Sequence, residues 1–193
     1  MEQNKEMTAQ ESLNLISETL NTSRRDILKD SARYIVLWGL LLVVFSLVIY
    51  ELWHVTGKPV WNWLWFAMPF VGYPLASLLG KKGPAIPQNV ISRQLGWVWM
   101  AYGVFVCSVC LLSLVAVPMP ATLTLLIVLL LGFAECLTGI MLRNWPTIVA
   151  GFVLGVGGAL AAAVLRGEGQ LLLFTLGGAV MVITGIIVKH QYK

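Results

Sequence analysis

The chain has 193 residues, of which 58% are hydrophobic and only 11% are charged, and its mean hydropathy is +0.81. Because soluble domains carry about 25% charged residues, this composition excludes an ordinary soluble domain and indicates an integral membrane protein. The net charge of +4 comes from scattered basic residues and not from one patch, so we predict no direct binding of nucleic acid.

The first segment, residues 1–33, is polar. Thr8 and Glu11 have the spacing of a capping box, which predicts a helix start. Apolar residues then recur at helical spacing at Leu13, Ile16 and Leu20, with a weak break at residues 21–23. We predict a short amphipathic cytoplasmic helix, which either lies on the anionic membrane surface or docks a cytoplasmic protein through residues 8–30.

The rest of the chain, residues 34–193, consists of long uncharged apolar stretches. About 20 apolar residues cross the roughly 30 Å hydrocarbon core as a helix. We therefore predict an all-α, polytopic transmembrane helix bundle with six spans, at about residues 34–53, 59–80, 95–117, 121–142, 146–166 and 170–188. Pro69 and Pro74 are expected to kink or locally unwind the second span.

The basic residues predict the orientation. If the N-terminus is inside, only Lys58 and Arg166 face outward, so the other 11 of the 13 basic residues lie on the cytoplasmic side. The positive-inside rule then places both termini in the cytoplasm of a bacterial inner membrane. The first span, which follows a polar segment containing several glutamates, is expected to act as an uncleaved signal anchor.

Glu135 is the acidic residue that lies well inside a predicted span. A charge at that depth costs at least about 2.5–3.5 kcal/mol, so an intramembrane acid is a candidate functional residue. Its neighbours Gly132 and Gly139 indicate a close-packed helix face. The alternative is a structural Glu135, protonated or hydrogen-bonded between helices, or one that extends toward Arg143.

Glycines are dense in the last two spans. Gly151 and Gly155 form a GxxxG pattern, which lets helix backbones approach closely. We expect the fifth span to pack against the sixth through this face. Homodimerisation through the same face is the alternative.

Catalytic and metal-binding signatures are absent from the sequence. There is no HExxH, no GxSxG and no P-loop, so we predict no catalytic residues, no metal site and no cofactor. Cys107 and Cys110 lie in an apolar run, where a reactive thiolate is disfavoured. His54 and His190 are predicted on opposite sides of the membrane and cannot share a metal.

Two stretches carry a resemblance to a known group. The first runs from Tyr34 to the Trp38–Gly39 pair, and the second runs from Gly132 to Gly151. They resemble small, functionally uncharacterised bacterial six-helix membrane proteins. The resemblance covers most of residues 20–190 and implies a regulatory accessory role, for instance beside a DNA-binding regulator. It transfers no role to Glu135.

The leading functional hypothesis is therefore a non-enzymatic regulatory or interaction component of the membrane. Its expected partners are the lipid bilayer, a cytoplasmic protein and, alternatively, further copies of the chain. The second hypothesis is a small transporter or channel whose path includes Glu135 and the kinked second span. An intramembrane enzyme is the third.

Overall fold

The computed structural model describes residues 8–79, 90–115 and 120–192, and every element in these ranges is helical. The connections between the predicted second and third spans and between the third and fourth spans lie largely outside these residues. The α-helices are α1 (Ala9–Thr56), α2 (Ala67–Leu79), α3 (Val90–Val115), α4 (Pro120–Leu142), α5 (Trp145–Phe152), α6 (Gly158–Val164) and α7 (Leu171–Gln191). Two 3-10 helices, Pro59–Phe66 and Gly167–Gln170, precede α2 and α7, and a π-helical turn, Val153–Gly157, joins α5 to α6.

The first helix is much longer than a membrane span. It has 48 residues and is about 72 Å long. Its start is the expected capping box, because Thr8 accepts from the Glu11 amide and Glu11 accepts from the Thr8 amide. It ends at Gly57, whose φ of 66° is the left-handed conformation typical of helix ends. The weak break expected at residues 21–23 does not occur, because Asn, Thr and Ser are compatible with a helix when neither Pro nor Gly interrupts it.

The antiparallel pair of α1 and α7 forms one half of the core. A Cβ on Gly39 would lie 2.8 Å from the Gly178 carbonyl oxygen, and one on Gly185 would lie 2.9 Å from the Ala32 carbonyl oxygen. The absence of side chains therefore sets the close approach of the two backbones. Further along, the Ser46 and Thr175 hydroxyls share a hydrogen bond of 2.8 Å.

The other half of the core is the antiparallel packing of α4 on the rod formed by α5, the π-turn and α6. A Cβ on Gly132 would lie 2.2 Å from the Gly155 Cα, and one on Gly151 would lie 2.4 Å from the Cys136 amide nitrogen. One helical turn beyond, a Cβ on Gly139 would meet the Ile148 amide nitrogen at 2.6 Å. The contact is therefore backbone against backbone over about two turns, from Gly132 to Gly139 on α4.

The helices α2 and α3 lie at the periphery. Trp38 of α1 covers Gly72 of α2, and α3 packs mainly on α4. Both peripheral helices expose large apolar side chains, among them Phe70, Leu78 and Val104. In a membrane protein these side chains face lipid.

Among the residues that the structure describes, five helical segments are long and apolar enough to cross a membrane. They are Gln10–Thr56, Val90–Leu111, Leu123–Leu142, Trp145–Val164 and Gly167–Gln191. The predicted second span is built differently from the expected single kinked α-helix. Its first part, Pro59–Phe66, is a 3-10 helix, and the change to α-helix comes at Ala67, before both prolines.

Candidate functional site

Glu135 lies on the buried face of α4, with only 1% of its surface exposed. Leu131, one turn before it, belongs to an apolar cluster with Leu42, Leu154 and Met181. Leu142, two turns after it, belongs to a second apolar cluster near the end of the bundle where α1 extends. The carboxyl group therefore lies between two apolar clusters of the core.

The hydrogen bonding of Glu135 is incomplete. In the part of the chain that the structure describes, its Oε1 atom is buried and has no hydrogen-bond partner. The nearby Thr138 hydroxyl donates to the Ala134 carbonyl, so it is used within its own helix. A buried acceptor without a donor costs about 1–3 kcal/mol, which makes this position exceptional within the core.

Arg143 does not approach Glu135 as an ion-pair partner. It is exposed and ends α4 with a φ of 53°. Its amide donates to the Ile140 carbonyl, and the Asn144 amide donates to the Gly139 carbonyl. This pair of bonds is the Schellman arrangement that closes a helix end, so Arg143 has a structural place in the turn.

Asn144 makes a polar cluster that the sequence analysis did not single out. Its Oδ1 accepts from the amide and the hydroxyl of Thr147, and thereby caps α5. Its Nδ2 donates to Gln191 of α7 at 3.4 Å. The local signal was available, since Asn followed by Trp-Pro is a helix start, but the bond to Gln191 depends on the tertiary fold.

The four predicted packing glycines meet on one interface. Gly132 and Gly139 lie on α4, and Gly151 and Gly155 lie opposite them on α5 and the π-turn. The fifth span thus uses its GxxxG face against the fourth span and not, as expected, against the sixth. In the sixth span, Gly178 and Gly185 contact α1 instead, with Gly178 against the Gly39 carbonyl, and only Gly177 approaches the fifth span, where a Cβ would lie 3.1 Å from the Leu154 side chain.

The π-turn borders an apolar groove of about 200 Å³ that is open on one side. Leu42, Leu154, Gly157, Leu173 and Gly177 are among the lining residues. Pi-turns widen a helix locally, and here the widening coincides with the groove. Glu135 does not line this groove.

The two prolines of the predicted second span lie in different parts of α2. Pro69 lies in the first turn of α2, where its missing amide hydrogen costs no helical bond. Pro74 lies inside α2, and its carbonyl accepts a hydrogen bond from the Ser77 hydroxyl. Among the described residues, α2 packs mainly on α1 and on the 3-10 helix before it, whereas Glu135 lies on α4.

The N-terminal part of α1 divides into two regions. From Ile27 and Leu28 onward it is packed on the bundle against Ile91, Leu142 and Val188. Toward the N-terminus, the hydrogen bond farthest from the bundle centre that joins α1 to another helix is that of Arg24, whose Nε donates to the Met141 carbonyl at 3.2 Å. Before Arg24 the apolar residues are exposed, with Leu13 at 62% and Ile16 at 56%.

Two features are therefore candidates for function. One is the buried carboxyl group of Glu135, and the other is the exposed apolar stripe of α1 formed by Leu13, Ile16 and Leu20. Comparisons with protein-family models, with curated proteins and with solved structures find no match to this chain.

Proposed function

We propose that the protein is a non-enzymatic docking component of the membrane that binds a cytoplasmic protein through the apolar stripe of α1. The observation that carries the proposal is the unbroken course of α1 from Ala9 to Thr56. It joins the stripe rigidly to a membrane span. The proposal extends the regulatory role expected from the sequence.

The length of α1 argues against a helix lying on the membrane surface. Leu13 precedes Tyr34, where the first predicted span begins, by about 30 Å along the helix axis. Transmembrane helices tilt by about 20° on average, so a straight continuation leads away from the lipid headgroups. Sharp kinks require Pro, a Gly/Ser pair or a π-turn, and residues 9–33 contain no Pro, no Gly and no π-turn.

The chemistry of the stripe indicates the kind of partner. Leu13, Ile16 and Leu20 follow the i, i+3, i+7 spacing by which helices bind in apolar grooves. Small hydroxyl residues, Ser12, Ser17 and Ser23, border the stripe, and the acidic residues Glu11 and Glu18 lie on the far side of the helix. This face fits an apolar groove or helix of a cytoplasmic protein.

The topology within this proposal has six spans and both termini in the cytoplasm. Five segments qualify by length and hydropathy, and the second predicted span would be the sixth. The 3-10 helix Pro59–Phe66 and α2 together extend about 35 Å, enough for the hydrocarbon core. The concentration of basic residues on one side supports the orientation.

The proposal is tested with a photo-crosslinking amino acid at position 16 in cells. We expect a discrete adduct with one cytoplasmic protein, and no adduct from the matched position 18, which lies about 200° around the helix. Replacing Leu13 and Leu20 by Ser should abolish the adduct. A chain lacking residues 1–22 should keep its melting temperature, since the described bundle contacts begin at Arg24.

Three results would contradict the docking proposal. Labelling of position 16 by a lipid-soluble probe would show a membrane-surface helix. An adduct of two copies of this chain would show homo-oligomerisation through α1. No adduct from position 16 in intact cells would leave the stripe without a partner.

Proton-coupled transport is the second candidate, and the unpartnered Oε1 of Glu135 favours it. Under the docking proposal, Glu135→Gln keeps the fold and changes no flux. Under the transport proposal, the same variant abolishes proton-coupled or cation flux in proteoliposomes. Glu135→Leu serves as the structural control, because it keeps roughly the volume and removes the polar atoms.

A further inference from the structure

A second cleft lies between α1 and α3, at the end of the bundle from which α1 extends. Its volume is about 480 Å³. The polar and small residues that line it are Asp30, Ser31, Tyr34, Ser92, Arg93 and Gly96. It is separate from Glu135 and from the apolar stripe of α1.

In the proposed topology, the cleft lies at the depth of the lipid headgroups. Tyr34 begins the first predicted span, and Arg93 and Gly96 flank the start of the third. Tyrosine is enriched at the membrane–water interface because its ring is apolar and its hydroxyl group is hydrated. Phospholipid phosphates are therefore within reach of a cleft that opens here.

The charges around the cleft favour an anion. Arg93 is exposed and has no ion-pair partner among the described residues. Arg33 stacks over the Tyr34 ring at 5.1 Å and pairs with Asp30 at 3.3 Å, so the Asp30 charge is compensated. Arg33 does not itself line the cleft, so Arg93 is the basic residue that does.

The geometry points to a binding site for the phosphate of an anionic phospholipid headgroup, with Arg93 as its principal ligand. Guanidinium groups bind phosphate oxygens in pairs, and the hydroxyls of Ser31 and Tyr34 add donors at the same opening. Basic pockets between transmembrane helices at a membrane edge are suited to such headgroups. The acyl chains would continue along the exposed apolar face of α3.

Gly96 offers a way to close the cleft without changing its charge. A Cβ on Gly96 meets no atom within 4 Å, so a leucine can begin there without a clash, and we expect it to reduce the space of the cleft that Gly96 lines. Gly103, on the same helix, is equally open but does not line the cleft. Gly96→Leu and Gly103→Leu are therefore a matched pair.

The experiment measures binding of phosphatidylglycerol to the purified full-length protein in a neutral detergent, from the shift in melting temperature. We expect stabilisation by phosphatidylglycerol and none by phosphatidylcholine. Arg93→Gln should weaken the apparent affinity about tenfold, which is the loss expected for one charge-assisted hydrogen-bond pair. Gly96→Leu should abolish the shift, and Gly103→Leu should preserve it.

Lys189→Gln is the charge control, because it removes a basic residue of α7 that does not line the cleft. Equal lipid responses of the wild type, Arg93→Gln and Gly96→Leu would overturn the proposal, as would the same loss in Lys189→Gln. Full stabilisation by inorganic phosphate, with no further gain from phosphatidylglycerol, would overturn the lipid assignment. It would indicate that the cleft binds a soluble phosphate. Absence of any shift with either probe would overturn the site itself.

Discussion

At the residue scale, Arg143 shows how a charged side chain can have a backbone role. Its φ of 53° is the one positive value among the described residues other than glycine. A left-handed conformation costs an L-residue about 1–2 kcal/mol. Here the cost is offset by the two hydrogen bonds that close α4 and by the capping of α5 that follows immediately.

The effect of substituting Arg143 on stability should therefore depend on how well the new residue adopts the left-handed conformation, and not on its charge. We expect Arg143→Gly to match or exceed the wild-type stability, and Arg143→Val to lose about 1–2 kcal/mol, because a β-branched residue is poorest in this conformation. Thermal unfolding in detergent measures both. A loss that is equal in the two variants would instead assign the effect to the missing charge.

His54 and Glu168 form a hydrogen-bonded pair outside the predicted spans. His54 follows the first predicted span, and Glu168 precedes the last one. The Nδ1 of His54 lies 2.9 Å from a Glu168 carboxylate oxygen. The hydrogen bond to Glu168, followed by the attraction of its charge, raises the pKa of His54 above its ordinary value of about 6.5. The pair links the end of α1 to the 3-10 helix before α7.

The pH dependence follows from the direction of this shift. Because the folded pKa is raised, the pair stabilises the fold below about pH 6.5, and its contribution is lost as the pH rises through the folded pKa. We expect the melting-temperature difference between wild type and Glu168→Gln to be small, because both side chains are partly exposed, and to shrink from pH 6 to pH 9. The pH series would refute the pairing if that difference stayed constant.

At the element scale, the glycines decide which helices become neighbours. The sequence pattern identified Gly132, Gly139, Gly151 and Gly155 as packing residues, because small residues at helical spacing make a flat face. It did not identify the partner, since a flat face on one helix is compatible with several others. The structure pairs α4 with the α5–α6 rod, and α1 with α7.

Gly132→Ala tests the tighter of these interfaces. The added Cβ would lie 2.2 Å from the Gly155 Cα, and backbone at that distance has to move away. We expect a loss of about 1–3 kcal/mol, as for other overpacked cores, measured by thermal unfolding. Gly103→Ala is the control on an open face and should be neutral or slightly stabilising, since alanine favours helix. Equal effects at both positions would contradict the close contact.

At the scale of the whole molecule, the bundle has a four-rod core with two peripheral helices. The arrangement separates three features: the buried Glu135, the cleft between α1 and α3, and the projecting part of α1. The separation allows each to be altered without the others. It also means that a change in the projecting stripe should leave the fold intact.

The proposed topology is a whole-molecule prediction. Reporter fusions after residue 193 and in the Gly167–Gly169 turn should report opposite sides of the membrane, with the C-terminal fusion in the cytoplasm. A third fusion, after Gly57, should agree with the Gly167–Gly169 fusion, because both turns follow outward-going helices in this topology. Reports from the same side for the first two fusions would require a different number of spans.

Hydropathy and charge spacing are local properties of each segment, so the sequence predicted helices apolar enough to cross a membrane, and every element of the described residues is helical. The sequence also identified the start of α1, the burial of Glu135 and the glycine-rich faces, since each depends on residues within a few turns. The unbroken course of α1 past residues 21–23 was not predicted, although its cause is local, since neither Pro nor Gly interrupts residues 9–33. The packing partners required the three-dimensional structure: the fifth span packs on the fourth, and Arg93 lines a cleft with Tyr34. These depend on contacts between residues far apart in the chain, and apolar helices of similar composition carry no local signal that distinguishes one packing partner from another.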